Sequence, residues 1–101
     1  MYIYNITIKP DWKIHDEWLH WMKEIYLPDI INTNCFTEYR IVKLLEMDES
    51  DGPTYAVQLF AENIAEYNRY QQVFEDNFNK MSNSKWGDRF ISFASLMQIV
   101  H

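Results

Sequence analysis

Strand-like and helix-like periodicities alternate along this chain in a fixed order, and few folds accept that order. From Tyr2 to Lys9 the residues alternate, with Tyr2, Tyr4, Ile6 and Ile8 on one face and Ile3, Asn5 and Thr7 on the other. Pro10 and Asp11 end this strand. From Ile14 to Leu27 the period changes. Ile14, Trp18, Trp21, Met22 and Ile25 recur at three- and four-residue steps, which places them on one helical stripe. Pro28 disfavours helical geometry at Leu27, so the regular helix is expected to end there, with Asp29 to Ile31 as one further turn at most. Asn32-Thr33-Asn34 is a loop signal.

Phe36 to Met47 reads as a long second strand, with Tyr39, Ile41, Leu45 and Met47 on the face of Lys43, and Phe36, Val42 and Leu44 on the face of Glu38 and Arg40. The stretch Asp48 to Pro53 carries the Asp-Gly and Pro chemistry of a hairpin loop, and Thr54 to Ala61 reads as the returning strand. Ile64 to Met81 reads as a second helix, N-capped by Asn63 with Glu66 three residues on. Its buried stripe is Ile64, Tyr67, Tyr70, Phe74, Phe78 and Met81. Ser82 to Asp88 reads as a polar connection, and Phe90 to Val100 as the last strand.

The order βαββαβ, with a right-handed crossover in each βαβ unit, puts the first and third strands in the centre of a four-stranded antiparallel sheet. Both helices then lie on one face. An α+β domain results, expected to occupy residues 1–101 as one unit. At this length about two-thirds of the unfolded surface can be buried, so a core forms without disulfides or metal.

Two helices cover only one face of such a sheet, and a face in water should read polar. The last strand does not. Ile91, Phe93, Met97 and Ile99 point one way, and Phe90, Ala94, Leu96 and Val100 the other. A large bare apolar surface is rare on a monomer. The expectation is a homodimer through the open sheet face in an isologous two-fold contact. The rival is a monomer whose long strand ends fold back over that face.

Composition removes several function classes. The net charge is -6, and the nine Lys and Arg residues are scattered from Lys9 to Arg89. Nucleic-acid and anionic-membrane partners need clustered cations, so neither is expected. No apolar run is long enough for a transmembrane helix, and the N-terminus lacks the pattern of a signal peptide. Cys35 is the only cysteine, so no intrachain disulfide can form, which fits a cytoplasmic location. Its neighbours Asn34 and Phe36 offer no base, and the thiol is expected to pack as a small hydrophobe.

The motifs Tyr4-Asn5-Ile6-Thr7, Trp18-x-x-Trp21-Met22, Leu27-Pro28-Asp29, Tyr55-Ala56-Val57-Gln58, Tyr67-x-x-Tyr70 and Gly87-Asp88-Arg89-Phe90 run through nearly the whole chain. Together they resemble a family of short bacterial proteins classed as a domain of unknown function. That family is similar in fold to the ferredoxin-like, dimeric α+β barrel proteins, which include antibiotic-biosynthesis-type monooxygenases and haem-degrading enzymes. Fold likeness does not transfer chemistry. The family places a His just before the Leu-Pro or Ile-Pro step of the first helix. This chain has Tyr26 there, so a role resting on that His does not carry over.

A haem-degrading reading would use Asn5 as a pocket residue. It also needs a ligating His on the second helix, and no His occurs between His20 and His101. His15 and His20 are five apart, which does not stack two metal ligands on one helix face. No metal and no cofactor are therefore expected. Asp88 and Arg89 form a candidate polar pair at a cleft mouth, with an ordinary turn contact as the alternative.

Asn5, Trp18, His20, Trp21, Tyr39, Arg40, Tyr67 and Tyr70 are the candidate pocket lining, with ordinary aromatic core as the alternative for Trp18, Trp21, Tyr67 and Tyr70. Two functions fit. One is a homodimeric binding or structural module with room for a small apolar ligand. The other is a cofactor-free, monooxygenase-like enzyme acting on an aromatic substrate, in which the protein orients the substrate and steadies a developing anion.

Overall fold

The computed structural model describes residues 1–101. Four strands, β1 (Tyr2–Pro10), β2 (Glu38–Lys43), β3 (Tyr55–Ala61) and β4 (Phe90–Gln98), form one antiparallel sheet in the order β2-β3-β1-β4. The first and third strands are central, as two right-handed crossovers require. The helical segments are α1 (His15–Trp21), α2 (Leu27–Ile31), α3 (Ile64–Val73) and α4 (Glu75–Trp86), with a π-helical stretch, Met22–Tyr26, joining the first two. This is the expected ferredoxin-like α+β architecture.

The core lies between the helices and one face of β1 and β3. Tyr4, Ile8, Val57 and Leu59 meet Trp18, Met22, Leu27, Ile30 and Tyr70 there. Cys35 is buried with them. Aromatic rings set much of the contact: Phe36 meets Tyr70 edge-on at 4.9 Å, and Trp21 meets Trp86 edge-on at 5.7 Å.

Three element boundaries differ from the sequence expectation. The first helix does not stop at Pro28. The amide of Leu27 donates to the carbonyl of Met22, five residues back, and α2 continues with the proline in its first turn. Pro28 lacks an N–H, and its ring would strike a carbonyl of the preceding turn. Widening that turn by one residue gives the ring room. The second helix bends at Phe74, whose backbone relaxes to φ −116°. The amides of Phe74 and Phe78 still donate to Tyr70 and Phe74, so α3 and α4 form a bent rod. That rod runs on to Trp86, through residues expected to form a loop, and Gly87 ends it at φ 60°. Third, β2 is six residues long, half of its expected span. Its last rung is the Leu44 amide on Thr54, after which Glu46 turns the chain at φ 61°. Leu45 has no strand beside it and is exposed.

The N-cap of α3 is as expected: the Asn63 side chain accepts from the Glu66 amide at 3.0 Å. Glu66 itself turns away to Arg69, at 2.7 Å.

On the open side of the sheet the register arranges side chains in rows. Glu38, Phe60, Ile3 and Met97 form one row, Arg40, Gln58, Asn5 and Ser95 the next, and Val42, Ala56, Thr7 and Phe93 a third. The face is therefore apolar in two bands with a polar row between them. The loop after β2 folds along one end of it. Lys9 donates to the Asp48 carbonyl at 3.1 Å and the Trp12 indole to the Glu49 carbonyl at 2.7 Å. Most of β4 stays bare, with Ile91 70% and Phe93 66% exposed.

Candidate functional site

The helices cover β1 and β3 but leave the helix-side surface of β4 open. A cleft of about 350 Å³ lies there, between α4 and the sheet. Its polar wall comes from α4. Glu75, Asn79, Ser82 and Asn83 fall at three- and four-residue steps, so they share one stripe. Its floor is β1, where Tyr4, Ile6 and Ile8 alternate inward. Phe90, Ser92 and Ala94 of β4 close the far side.

Tyr26 enters from the first helical segment. It is the last residue of the π-helical stretch, and the extra residue in that turn sets its direction. Its ring packs on Trp21 at 4.8 Å and edge-on to Phe78 at 5.6 Å. The Pro28 step thus places a phenol at the cleft, a common use of π-bulges.

The Tyr4 hydroxyl donates to Glu75 Oε2 at 3.1 Å. Burial raises the Tyr4 phenol well above its ordinary value, and the Glu75 carboxylate beside it pushes in the same direction. Burial pushes Tyr26 up to about 12, against a smaller opposing effect from Ser82. Burial likewise raises Tyr70 and, less strongly, Tyr67. All four phenols are therefore neutral hydrogen-bond donors at pH 7, and none is a ready base. Glu75 is the only charged residue of the lining, and no Lys, Arg or His joins it.

The residues singled out from sequence are spread over three places. Tyr67 and Tyr70 flank Tyr4, at ring distances of 5.5 and 5.8 Å. Trp18 is 1% exposed and packs on Tyr55, while Trp21 is buried against Tyr26 and Trp86. Tyr39 is half-buried on β2, on the helix side of the sheet beside Leu59. Asn5 and Arg40 lie on the opposite side, in the polar row of the open face. The Asn5 side chain bonds Thr7 at 3.2 Å, and the Arg40 guanidinium covers Phe60 at 5.1 Å. His20 is exposed at the outer rim of the helices, near Trp21 and Lys85. Asp88 and Arg89 border a shallow hollow without forming an ion pair.

The cleft residues Glu75, Asn79, Ser82 and Asn83 escaped the sequence reading. Their common spacing is the available signal, and it shows only if the helix runs past Met81. His15 is also more than a surface residue: its Nε2 meets the Tyr55 hydroxyl at 2.6 Å.

The fold has solved counterparts. A dimeric ferredoxin-like protein from an uncultured marine organism superposes with a TM-score of 0.72 at 11% identity, over 100% of this chain and 96% of that one. A protein of the ethyl tert-butyl ether d (ethd) family from Bacillus halodurans superposes with a TM-score of 0.66 at 7% identity, over 99% and 100% of the two chains. These likenesses concern the fold. No curated protein matches the chain in sequence. No helix is long and apolar enough to cross a membrane. Residues 1–100 match the model of the family described as Domain of unknown function (DUF4286), and the chain belongs to that family.

Proposed function

We propose that this protein is a homodimeric binding module: two copies pair through their open sheet faces, and the helix-side cleft of each holds a small, partly apolar ligand. The bare surface of β4 carries this reading. Ile91, Phe93 and Met97 stand exposed together on the side of the sheet that has no helices. The molecule is a slab of 38 × 31 × 19 Å, so its broad side is large enough to supply the roughly 800 Å² per partner of a stable interface. The loop after β2 shields only one end of that side. A protein of the same fold that is described as dimeric supports the choice of a second copy as the cover.

The cleft favours binding over chemistry. Its volume sits at the small end of ligand pockets, roughly 300–1,000 Å³. Its phenols are held protonated by burial, which makes them donors rather than proton acceptors. The enzyme reading, a cofactor-free monooxygenase-like activity on an aromatic substrate, draws on one observation. The Tyr4–Glu75 pair faces the cleft, and such a pair can orient a phenolic substrate and exchange a proton with it.

The pairing is tested by substitution. Phe93→Glu is expected to weaken self-association by at least about a hundred-fold, whereas Val73→Glu, exposed on α3 away from the sheet, leaves it unchanged. Equal behaviour of the two variants contradicts the proposed face. Oxygen consumption with a dithranol-like phenol decides the enzyme reading, and its absence across several aromatic substrates removes that reading.

A further inference from the structure

We propose that the cleft selects an organic ammonium: a small ligand with an apolar or aromatic body and a primary amine that pairs with Glu75. This inference rests on the reading of the cleft as a ligand site and adds the ligand's charge.

Four features of the cleft carry it. Glu75 is the lining's only ionic residue and belongs to none of the chain's ion pairs. One of its oxygens, Oε2, accepts from Tyr4 at 3.1 Å, and the other has no hydrogen-bond partner within the chain. That second oxygen is not sealed off, so a ligand can reach it. Third, aromatic side chains line the cleft that holds the carboxylate. Tyr4 bonds it, and Tyr26 and Phe90 line the same helix-side cleft. Ring faces attract a cation and bury an apolar body equally well. Fourth, the remaining polar groups, the Asn79 and Asn83 amides and the Ser82 and Ser92 hydroxyls, can accept the further N–H bonds of an ammonium without adding charge.

An anionic ligand meets the opposite conditions. It would approach Glu75 with no lining cation to offset the repulsion, in a protein of net charge -6. The buried phenols supply donors but no positive charge. Tyr4 has a second part: by holding Oε2 it fixes the carboxylate so that the free oxygen faces outward, which makes Tyr4 a positioning residue.

The test uses three probes of one shape: phenethylamine, 2-phenylethanol and phenylacetate, each titrated into the 101-residue chain and followed by backbone amide chemical shifts. Phenethylamine is expected to move the amides of Glu75, Asn79, Ser82 and Ala94, and to bind roughly ten-fold more tightly than the alcohol, with no binding of the acid. Glu75→Gln should abolish the preference of amine over alcohol while the alcohol still binds. Asn79 is exposed at the rim, so Asn79→Lys keeps the fold and should shift the preference toward phenylacetate even if Glu75→Gln misfolds. Equal binding of amine and alcohol, or a preference that survives both substitutions, overturns the charge assignment and leaves the cleft as a neutral site. If none of the three probes moves a cleft amide, the cleft as a binding site falls with it.

Discussion

Tyr4 and Glu75 are 71 positions apart in the chain, and the phenol of one donates to the carboxylate of the other at 3.1 Å. The bond ties the central strand β1 to the first turn of α4, at the point where the second helical rod bends. A half-buried bond to a charged acceptor contributes about 1.5–3 kcal/mol. Tyr4→Phe keeps the ring contacts with Tyr67, Tyr70 and Phe36 and removes only this bond. It should lower the urea midpoint by an amount equivalent to about 1–2 kcal/mol, with the slope of the transition unchanged. No change in midpoint would mean that water replaces the hydroxyl at no cost.

Alkaline pH is expected to unfold the protein. Burial pushes Tyr26 up to about 12 from 10, and it raises Tyr4 and Tyr70 as well. The fold favours the neutral phenol, so this contribution is fully present below pH 10, where both folded and unfolded chains carry the proton. Above pH 10 the unfolded chain ionises first, and stability is lost as pH rises toward the folded values. Tyr26 alone accounts for on the order of 2–3 kcal/mol across that window. Phenolate absorbance should appear in two stages, first from exposed tyrosines and then abruptly, together with loss of helical circular dichroism. A single smooth titration with the fold intact would contradict the burial of these phenols.

Gly52 holds the loop after β2 against the end of β1. A Cβ at that position would stand 1.9 Å from the Pro10 carbonyl oxygen, inside any allowed contact. Gly52→Ala therefore forces the loop away and breaks the bonds that Trp12 makes to Glu49 and Asp51. The expected loss is on the order of 1–3 kcal/mol, with faster hydrogen exchange at the Trp12 amide and no change in the amides of β3. Unchanged exchange at Trp12 would show that the loop is not held there.

Trp18 reads in sequence as either pocket lining or core, and it is 1% exposed between α1 and Tyr55. Trp18→Ala should cost about 3–5 kcal/mol, enough to leave many domains of this size unfolded. Calorimetry gives the value directly. A cost below about 1 kcal/mol would mean that Trp18 fills no essential space.

The topology was legible because two periods, alternating in one order, leave few ways to cover a sheet. Asn63 as a cap follows from local chemistry, and the central pairing of β1 with β3 from the right-handed crossovers. The misread boundaries share a cause: tertiary contacts that no local pattern carries. Pro28 is a helix breaker by itself, yet one extra residue in the preceding turn accommodates it and turns Tyr26 toward the sheet. Ser82 to Lys85 looks like a linker, but burial of Trp86 against Trp21 keeps it helical. Leu45 to Met47 look like strand, but the ladder ends at the Leu44–Thr54 bond and Glu46 turns the chain away. The cleft was hidden for the same reason, since its α4 stripe exists only if that helix extends past Met81. Asn5 and Arg40 were separated from the cleft by strand alternation, which puts them with Gln58 and Ser95 on the other side of the sheet.

Sedimentation equilibrium of the unmodified chain at micromolar concentration is the most direct test of the pairing through the bare side of the sheet. The expected species has twice the 12.3 kDa chain mass and dissociates on Phe93→Glu substitution. A single species at 12.3 kDa across the micromolar range, with the Phe93→Glu variant indistinguishable from it, would contradict the account.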